Sequence, residues 1–253
     1  MPALVGEAGP QEIAAALGDL ALFAAGVAIE SADTAMIAKQ TVAVDAARAR
    51  QNLRLVEHLE DLEDVQRFLG WFASNHGTVD ILVSNASRDS RYSVLDIPFE
   101  EWKRMVQLNM TSPFLLCQGV AKKMVADHVR GKIILIGAIQ ALFPLQDSFA
   151  YVSTKGGVIS MMKSMASDLG KFGIQVLSVL PGPIYIKEGD VPASLDQRAA
   201  PLLGRMGRRE EVAKAIAFLA SDDNSFITGS YVIVDGGRLI SRKGDPTEIS
   251  SVP

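Results

Sequence analysis

The chain has 253 residues, of which 48% are hydrophobic and 6% aromatic, and its formal net charge is −4 at pH 7. This length fits one large or two small domains, and the slightly acidic balance argues against a nucleic-acid partner. The single cysteine, Cys117, excludes an intramolecular disulfide and fits a reducing cytoplasm.

The most apolar stretch covers residues 12–29, where Gly18 and Asp19 interrupt the apolar run and no basic flank precedes it. A helix that spans a membrane needs about 20 apolar residues, and a signal peptide begins with positive charge. We therefore expect a helix over about 11–24, a short strand at 26–31, and no membrane partner.

Helical and strand patterns alternate along the rest of the chain. Helices are predicted at 34–53, 62–77, 99–127, 151–173 and 209–221, and strands at 53–58, 79–86, 131–138, 174–184 and 229–237. This alternation indicates a parallel sheet with helices on both faces, a three-layer α/β fold with right-handed crossovers. We expect one domain over residues 1–240 and a loose C-terminal tail over 241–253. In such a sheet the site lies beyond the carboxyl ends of the strands.

Tyr151 and Lys155 begin the predicted helix at 151–173, and their spacing of four residues puts both side chains on one face. An ammonium near a phenol favours the phenolate and lowers the pKa of the tyrosine. Such a tyrosine can pass a proton to or from a carbonyl oxygen. The alternative interpretation is an exposed helical pair without a catalytic role.

Several motifs place this pair in a wider pattern that covers roughly residues 55–237. They are "DILVSNA" (80–86), Asn109 in "VQLNMTSPFLL", "GKIILIGA" (131–138), "YVSTKGGV" (151–158), "VLPGPI" (179–184) and the block at 202–237. In order and spacing the chain resembles the short-chain dehydrogenase/reductase superfamily. The resemblance implies a Rossmann-like doubly wound parallel sheet and oxidoreductase chemistry on a small-molecule substrate.

The resemblance also assigns roles to individual residues. It makes Tyr151 the acid/base, with Lys155 lowering its pKa and binding the nicotinamide ribose. It puts Asn109 in a helix kink, where it holds a water in a proton relay. The residues implied for the cofactor site are Gly6, Gly9, Ile13, Glu30, Asn85, Tyr151, Lys155, Pro181, Gly182 and Ile184.

The chain departs from the pattern of that superfamily at four places. Ala138 occupies the position of the catalytic serine, and losing one such donor typically costs about 10²–10³ in rate. The phosphate loop reads "GEAGPQEIAAA" (6–16), with Glu7 where the helix N-terminus should attract a phosphate. Ser87 replaces a glycine in "SNAS" (84–87), and the changes to His58 and Ile186 also fall on the cofactor side. Ser148 and Asp147 are the nearby groups that could compensate for Ala138.

We expect the cofactor to be NAD(P), with NAD favoured over NADP. Glu30 lies at the end of the predicted strand at 26–31, where a carboxylate can hold a ribose 2′-hydroxyl, and no arginine lies nearby for a 2′-phosphate. The alternative, motivated by the altered phosphate loop, is that no nucleotide binds. The three histidines are scattered without metal-ligand spacing, so no metal site is expected.

Three hypotheses about function follow. The first is an oxidoreductase that interconverts a carbonyl and an alcohol through Tyr151, Lys155 and Asn109. The second is a cofactor-independent lyase that resembles halohydrin dehalogenases, and the third is a non-catalytic subunit of the same fold. In this superfamily the helix after Tyr151 commonly builds a homodimer or homotetramer interface, so Met161, Met162 and Met165 could face a partner; a core position is the alternative.

Overall fold

The computed structural model describes residues 41–44, 60–75, 79–185 and 201–243. Its helices are α1 (Leu62–Asn75), α2 (Phe99–Val106), α3 (Ser112–Ala126), α4 (Phe149–Leu169) and α5 (Arg209–Ala220). Its strands are β1 (Thr41–Val44), β2 (Ile81–Ser84), β3 (Lys132–Ile136), β4 (Gln175–Pro181), β5 (Ile184–Tyr185), β6 (Gly207–Arg208) and β7 (Tyr231–Val234). The elements expected before residue 41 lie outside the described residues.

A five-stranded sheet with the order β1-β2-β3-β4-β7 forms the middle layer. The pairs β2–β3, β3–β4 and β4–β7 are parallel, with Ile134 of β3 opposite Val83 on one side and Leu177 on the other. Helices connect these strands, as parallel pairs require. Together with the solved structures reported below, this arrangement confirms the predicted doubly wound α/β fold.

The prediction of a helix over 34–53 is wrong at residues 41–44, which form strand β1. This strand runs antiparallel to β2, with Thr41 opposite Ser84 and Val44 opposite Ile81. The segment "TVAV" is rich in β-branched residues, which favour strands when a neighbouring strand offers pairing. Pairing with a segment some forty residues away overrides the helical pattern, and one edge of the sheet is antiparallel.

The strands bury both of their faces, which gives the three layers. Alternate residues of β3, Ile133 and Leu135, pack in one core cluster with side chains of α3 and α4. The residue between them, Ile134, packs on the opposite face in a second cluster with Ile216 and Leu219 of α5. The period of two along a strand therefore separates the two cores.

The helices largely follow the predicted spans, with one interruption at the site. The helix expected over 99–127 is broken by a π-helical turn at Gln107–Thr111 between α2 and α3. The helix that carries Tyr151 is followed by Gly173, whose φ of 76° lies in the left-handed region expected of a C-cap glycine. No helix within the described ranges is both long and apolar enough to cross a membrane.

The three methionines of α4 differ in burial. Met162 is fully buried in the cluster between the sheet and α4, so it belongs to the core. Met161 and Met165 are partly buried and pack against the same cluster. Their outer atoms remain available to a partner.

Gly137 and Gly156 offer a matched test of the packing around the end of β3. A Cβ at Gly137 would collide with the fully buried Leu180 and lie 3.2 Å from Ser178 Oγ, whereas a Cβ at Gly156 would meet nothing within 4 Å. We expect Gly137→Ala to lower the free energy of unfolding by about 1–3 kcal/mol through overpacking. Gly156→Ala in α4 should instead raise it by roughly 0.5–1 kcal/mol.

Urea denaturation followed by circular dichroism would measure both free energies of unfolding. Equal effects of the two substitutions would contradict the tight packing at Gly137.

Candidate active site

The carboxyl ends of β3 and β4 meet the start of α4 at one edge of the sheet. Gly137 follows β3, and its N–H donates to the carbonyl of Val179 in β4 at 2.8 Å. Gly182 follows β4, and its N–H donates to the carbonyl of Val234 in β7 at 2.9 Å. The loop from β3 leads into α4, which begins at Phe149. Parallel α/β sheets bind their ligands at this edge.

Tyr151 and Lys155 lie together in the first two turns of α4, as their spacing predicts. Lys155 is only 2% exposed, and its Nζ donates to the carbonyl of Ile136, the last residue of β3, at 2.9 Å. The same Nζ lies 5.7 Å from the centroid of the Tyr151 ring, within the range of a cation–π contact. The alternative of an exposed pair is therefore wrong, because the lysine is built into the junction of β3 and α4.

Burial dominates the protonation of both side chains. It lowers the pKa of the Lys155 ammonium to about 8, while the Asp89 carboxylate opposes this change. Burial also raises the pKa of the Tyr151 phenol; Asp89 adds to the increase and Arg91 opposes it. This direction is opposite to the expected lowering, because loss of solvation of the phenolate, together with the Asp89 charge, outweighs the opposing charge of Arg91. Tyr151 keeps its proton at neutral pH.

Asn109 lies in the π-helical turn and joins three parts of the chain. Its Oδ1 accepts from the backbone N–H of Arg88 at 2.8 Å, and its Nδ2 donates to the Arg88 carbonyl at 2.9 Å. The same Nδ2 donates to Oγ1 of Thr154 in α4 at 3.1 Å. The wider π turn is the helix irregularity expected at this residue. Its side-chain amide is committed to the loop after β2 and to α4.

The loop at residues 88–92 follows β2 and is anchored to other elements at both of its ends. Asn109 binds it at Arg88, as described above. At its other end Tyr92 forms a parallel bridge with Ser148, and the N–H of Phe149 donates to the Tyr92 carbonyl at 3.2 Å. Because both ends are held, residues 89–91 of this loop are kept next to the start of α4.

Asp89 and Arg91 are the charged side chains that this loop brings to the candidate site. Asp89 Oδ2 lies 3.5 Å from Nε of Arg91, and Nη1 of Arg91 donates to Ser148 Oγ at 3.2 Å. Burial raises the pKa of the Asp89 carboxyl, while Arg91 and Lys155 lower it. Sequence reasoning missed both residues; the available indication was their position directly after the buried strand β2, at the carboxyl edge.

Ala138 is 3% exposed and has an extended backbone after β3, so the position of the expected serine is buried and carries no donor. Of the two residues that could compensate, Ser148 is 1% exposed and its hydroxyl accepts from Arg91. Asp147 lies in the left-handed region with a φ of 51°, which makes the sharp turn before α4. Ser148 is thus the nearer substitute by position, three residues before Tyr151.

The described part of the expected cofactor site follows β2 and β4. Asn85 is half-buried directly after β2, and Pro181 ends β4. Ile184 lies in β5, which pairs with β6 beyond the edge of the main sheet. Gly6, Gly9, Ile13 and Glu30 lie outside the described residues, as do His58 and Ile186. The assignment of all these residues to a cofactor site stays a prediction.

A cleft of about 520 Å³ opens beside the π turn and is lined by Glu60, Asp61, Leu62 and Gln107. Its two carboxylates repel anions, and neither Tyr151 nor Lys155 lines it. Within the described ranges, no group of three or more His, Cys, Asp or Glu side chains could hold a metal ion.

Comparisons with known proteins agree with this geometry. The family described as enoyl-(acyl carrier protein) reductase matches residues 11–238. L-rhamnose 1-dehydrogenase (NAD(P)(+)) from Sphingomonas sp. is 35% identical, over 90% of this chain and 91% of that protein. Acetoin dehydrogenase from Salmonella typhimurium is 31% identical with a TM-score of 0.66, over 73% of this chain and 74% of its own. A 4-hydroxyisoleucine dehydrogenase solved with NADH has a TM-score of 0.68 and 28% identity, over 73% and 79% of the two chains.

The chain belongs to the short-chain dehydrogenase/reductase superfamily. It is an oxidoreductase of this type that depends on a nicotinamide cofactor of the NAD(P) class. These relatives favour the redox hypothesis over a cofactor-independent lyase and over a non-catalytic subunit.

The protonation of Lys155 can be tested directly by NMR titration of labelled lysine side chains. We expect Lys155 to titrate near its lowered pKa of about 8, apart from the exposed lysines. Asp89→Asn should lower the value further, because it removes the carboxylate that favours the ammonium. Asp96→Asn is the matched control, since Asp96 is exposed and accepts from Ser93 Oγ. A Lys155 titration near the ordinary value of about 10.4 would contradict its burial.

Proposed function

We propose that this protein interconverts a carbonyl and the corresponding alcohol by hydride transfer, with Tyr151 as the acid/base and Lys155 and Asn109 in support. The observation that carries this proposal is the pairing of Tyr151 with the buried Lys155 at the carboxyl edge of the sheet. In a member of this superfamily, a phenol and an ammonium in contact at that edge are suited to moving one proton at a substrate oxygen.

The described residues fit a nicotinamide nucleoside. Lys155 has three N–H donors, and the contacts with other described residues use one of them, on the Ile136 carbonyl. The remaining donors suit ribose hydroxyls. Pro181, Gly182 and Ile184 would line the nicotinamide, and Asn85 would lie beside the adenosine half of the cofactor. The loop with Gly6, Gly9 and Ile13 would hold the phosphates. Glu30 would bind the ribose 2′-hydroxyl, which favours NAD over NADP.

In the reductive direction, the hydroxyl of Tyr151 donates its proton to the carbonyl oxygen of the substrate. The nicotinamide supplies the hydride in this direction and accepts it in the reverse. The carbonyl π bond breaks, a C–H and an O–H bond form, and Tyr151 is left as a phenolate. The Lys155 ammonium, 5.7 Å from the ring centroid, stabilises that phenolate. Because the side-chain amide of Asn109 is committed to Arg88 and Thr154, a water that returns the proton would be held by the backbone carbonyl of Asn109 in the π turn.

The raised pKa of Tyr151 determines which direction is easier at a given pH. Because burial keeps the phenol neutral at pH 7, the proton donor for reduction is fully present there. Alcohol oxidation needs the phenolate, so we expect its rate to rise with pH. Without a hydroxyl at Ala138, the developing charge on the substrate oxygen has one donor fewer.

We further propose a homodimer or homotetramer that resides in the cytoplasm. Several large apolar side chains are exposed among the described residues, including Phe226 at 99%, Ile240 at 77% and Phe218 at 48%. An assembly would remove them from water. We retain residues 1–240 as one domain and 241–253 as its tail; Ser241, at the start of the tail, is 8% exposed.

The first test of this proposal combines nucleotide binding with substitution of the tyrosine. Fluorescence titration should detect binding of NADH, and Tyr151→Phe should lower kcat/KM for ketone reduction by about 10²–10⁴ by removing the proton donor. The affinity for NADH should fall by no more than about tenfold, the worth of one hydrogen bond. Tyr92→Phe, on the neighbouring loop, is the matched control. No binding of NADH or NADPH at millimolar concentration would exclude the proposal.

Restoring the missing hydroxyl tests whether the reaction lacks an oxyanion donor. We expect Ala138→Ser to raise kcat by roughly 10–10³, because it adds a hydroxyl donor after β3. Affinity for NADH should not change. Ala141→Ser, in the same loop, controls for a general effect of an added hydroxyl. An unchanged kcat would mean that another group already stabilises the charge.

A further inference from the structure

The loop at residues 88–92 carries the carboxylate of Asp89, and one of its two oxygens has no hydrogen-bond partner among the described residues. Asp89 Oδ2 lies 3.5 Å from Arg91, as described above, but Asp89 Oδ1 is buried and has no hydrogen-bond partner among the described residues. Buried polar atoms are almost always hydrogen-bonded, and an unpaired one costs free energy. An unpaired acceptor at the edge that binds ligands indicates that a ligand completes it.

The position of Asp89 relative to the reacting centre is fixed by the loop that carries it. Asn109 holds the loop at Arg88, and Tyr92 is paired with the start of α4. Arg91 joins the carboxylate to Ser148, three residues before Tyr151. The Asp89 charge acts on both Tyr151 and Lys155, so it lies close to the proton-transfer pair.

The chemistry of a carboxylate limits what it can bind there. An ionised carboxylate only accepts hydrogen bonds, so it cannot replace the donor lost at Ala138. It also repels the negative charge that develops on the substrate oxygen during reduction. Its partner must therefore be a different substrate group, one that donates a hydrogen bond.

We propose that Asp89 is a specificity residue that accepts a hydrogen bond from a hydroxyl group on the carbon next to the reacting carbon. The substrates are then vicinal diols, α-hydroxy ketones or cyclic sugars. A neutral hydroxyl fits better than an ammonium, because Arg91 and Lys155 already place two cationic side chains beside this carboxylate. This inference rests on the proposed oxidoreductase function and names its substrate class.

The test uses pairs of alcohols that differ only in the neighbouring hydroxyl. The pairs are 2,3-butanediol with 2-butanol, 1,2-cyclohexanediol with cyclohexanol, and glucose with 2-deoxyglucose, each oxidised with NAD. We expect wild type to prefer the hydroxylated member of at least one pair by roughly 10–100-fold in kcat/KM, the worth of a hydrogen bond to a charged group.

Substitutions at Asp89 should remove this preference. Asp89→Ala should abolish the preference, so that the ratio of kcat/KM between the two members of each pair approaches unity, whatever the variant's overall activity. Asp89→Asn keeps an acceptor oxygen without the charge, so it should keep an intermediate preference, which a merely structural role would not produce. Asp96→Asn, at an exposed carboxylate, should behave as wild type.

Four outcomes overturn the inference. If the wild-type protein oxidises alcohols but shows no preference in any pair, the inference about Asp89 is wrong and the proposed function still holds. An Asp89→Ala variant that loses equal activity on both members of a pair shows a general effect on Tyr151 and Lys155 instead. A stronger preference for 3-amino-2-butanol than for 2,3-butanediol would show that Asp89 binds an ammonium group of the substrate and not a hydroxyl. Failure to bind NADH and to oxidise any alcohol overturns the proposed function as well.

Discussion

A buried ammonium at the junction of a strand and a helix is the constraint on which this site depends. Lys155 is almost fully enclosed, and its donor is directed at the carbonyl of Ile136, the last residue of β3. Burial of a charge costs free energy unless the group is hydrogen-bonded. The contact therefore links the start of α4 to the carboxyl edge of the sheet, and Tyr151, one turn earlier, is brought to that edge with it.

The polar side chains around this junction differ in how many of their hydrogen-bonding atoms have partners. Asn109 uses its amide on the backbone of Arg88 and on Thr154, and so connects the loop after β2, the π turn and α4. Such a satisfied network makes a site rigid. Asp89, on the same loop, keeps one buried oxygen without a partner among the residues that the structure describes. The hydrogen bonds of Asn109 stabilise the fold. The unpaired oxygen of Asp89 lowers stability, and such a group is retained where it binds a ligand.

The loss of the serine hydroxyl at Ala138 changes the balance of charge at the reacting centre. Tyr151 is influenced by one carboxylate, Asp89, and by the opposing charge of Arg91, in addition to its burial. A centre with fewer neutral donors and more full charges depends more strongly on pH and on the groups that the substrate contributes. We therefore expect the charged loop after β2 to contribute to substrate selectivity, in addition to the family positions Asn109, Ala138, Tyr151 and Lys155.

The sequence by itself determined the order of the elements after residue 60, the α/β class and the pairing of Tyr151 with Lys155, because local periodicity and a spacing of four residues depend only on neighbours along the chain. It also placed Asn109 at a helix irregularity through the family pattern. Only the tertiary structure decided that residues 41–44 form an antiparallel edge strand, since Thr41 pairs with Ser84. It also decided the direction of the Tyr151 pKa and the position of Asp89, because burial and charge contacts arise between segments far apart in the chain.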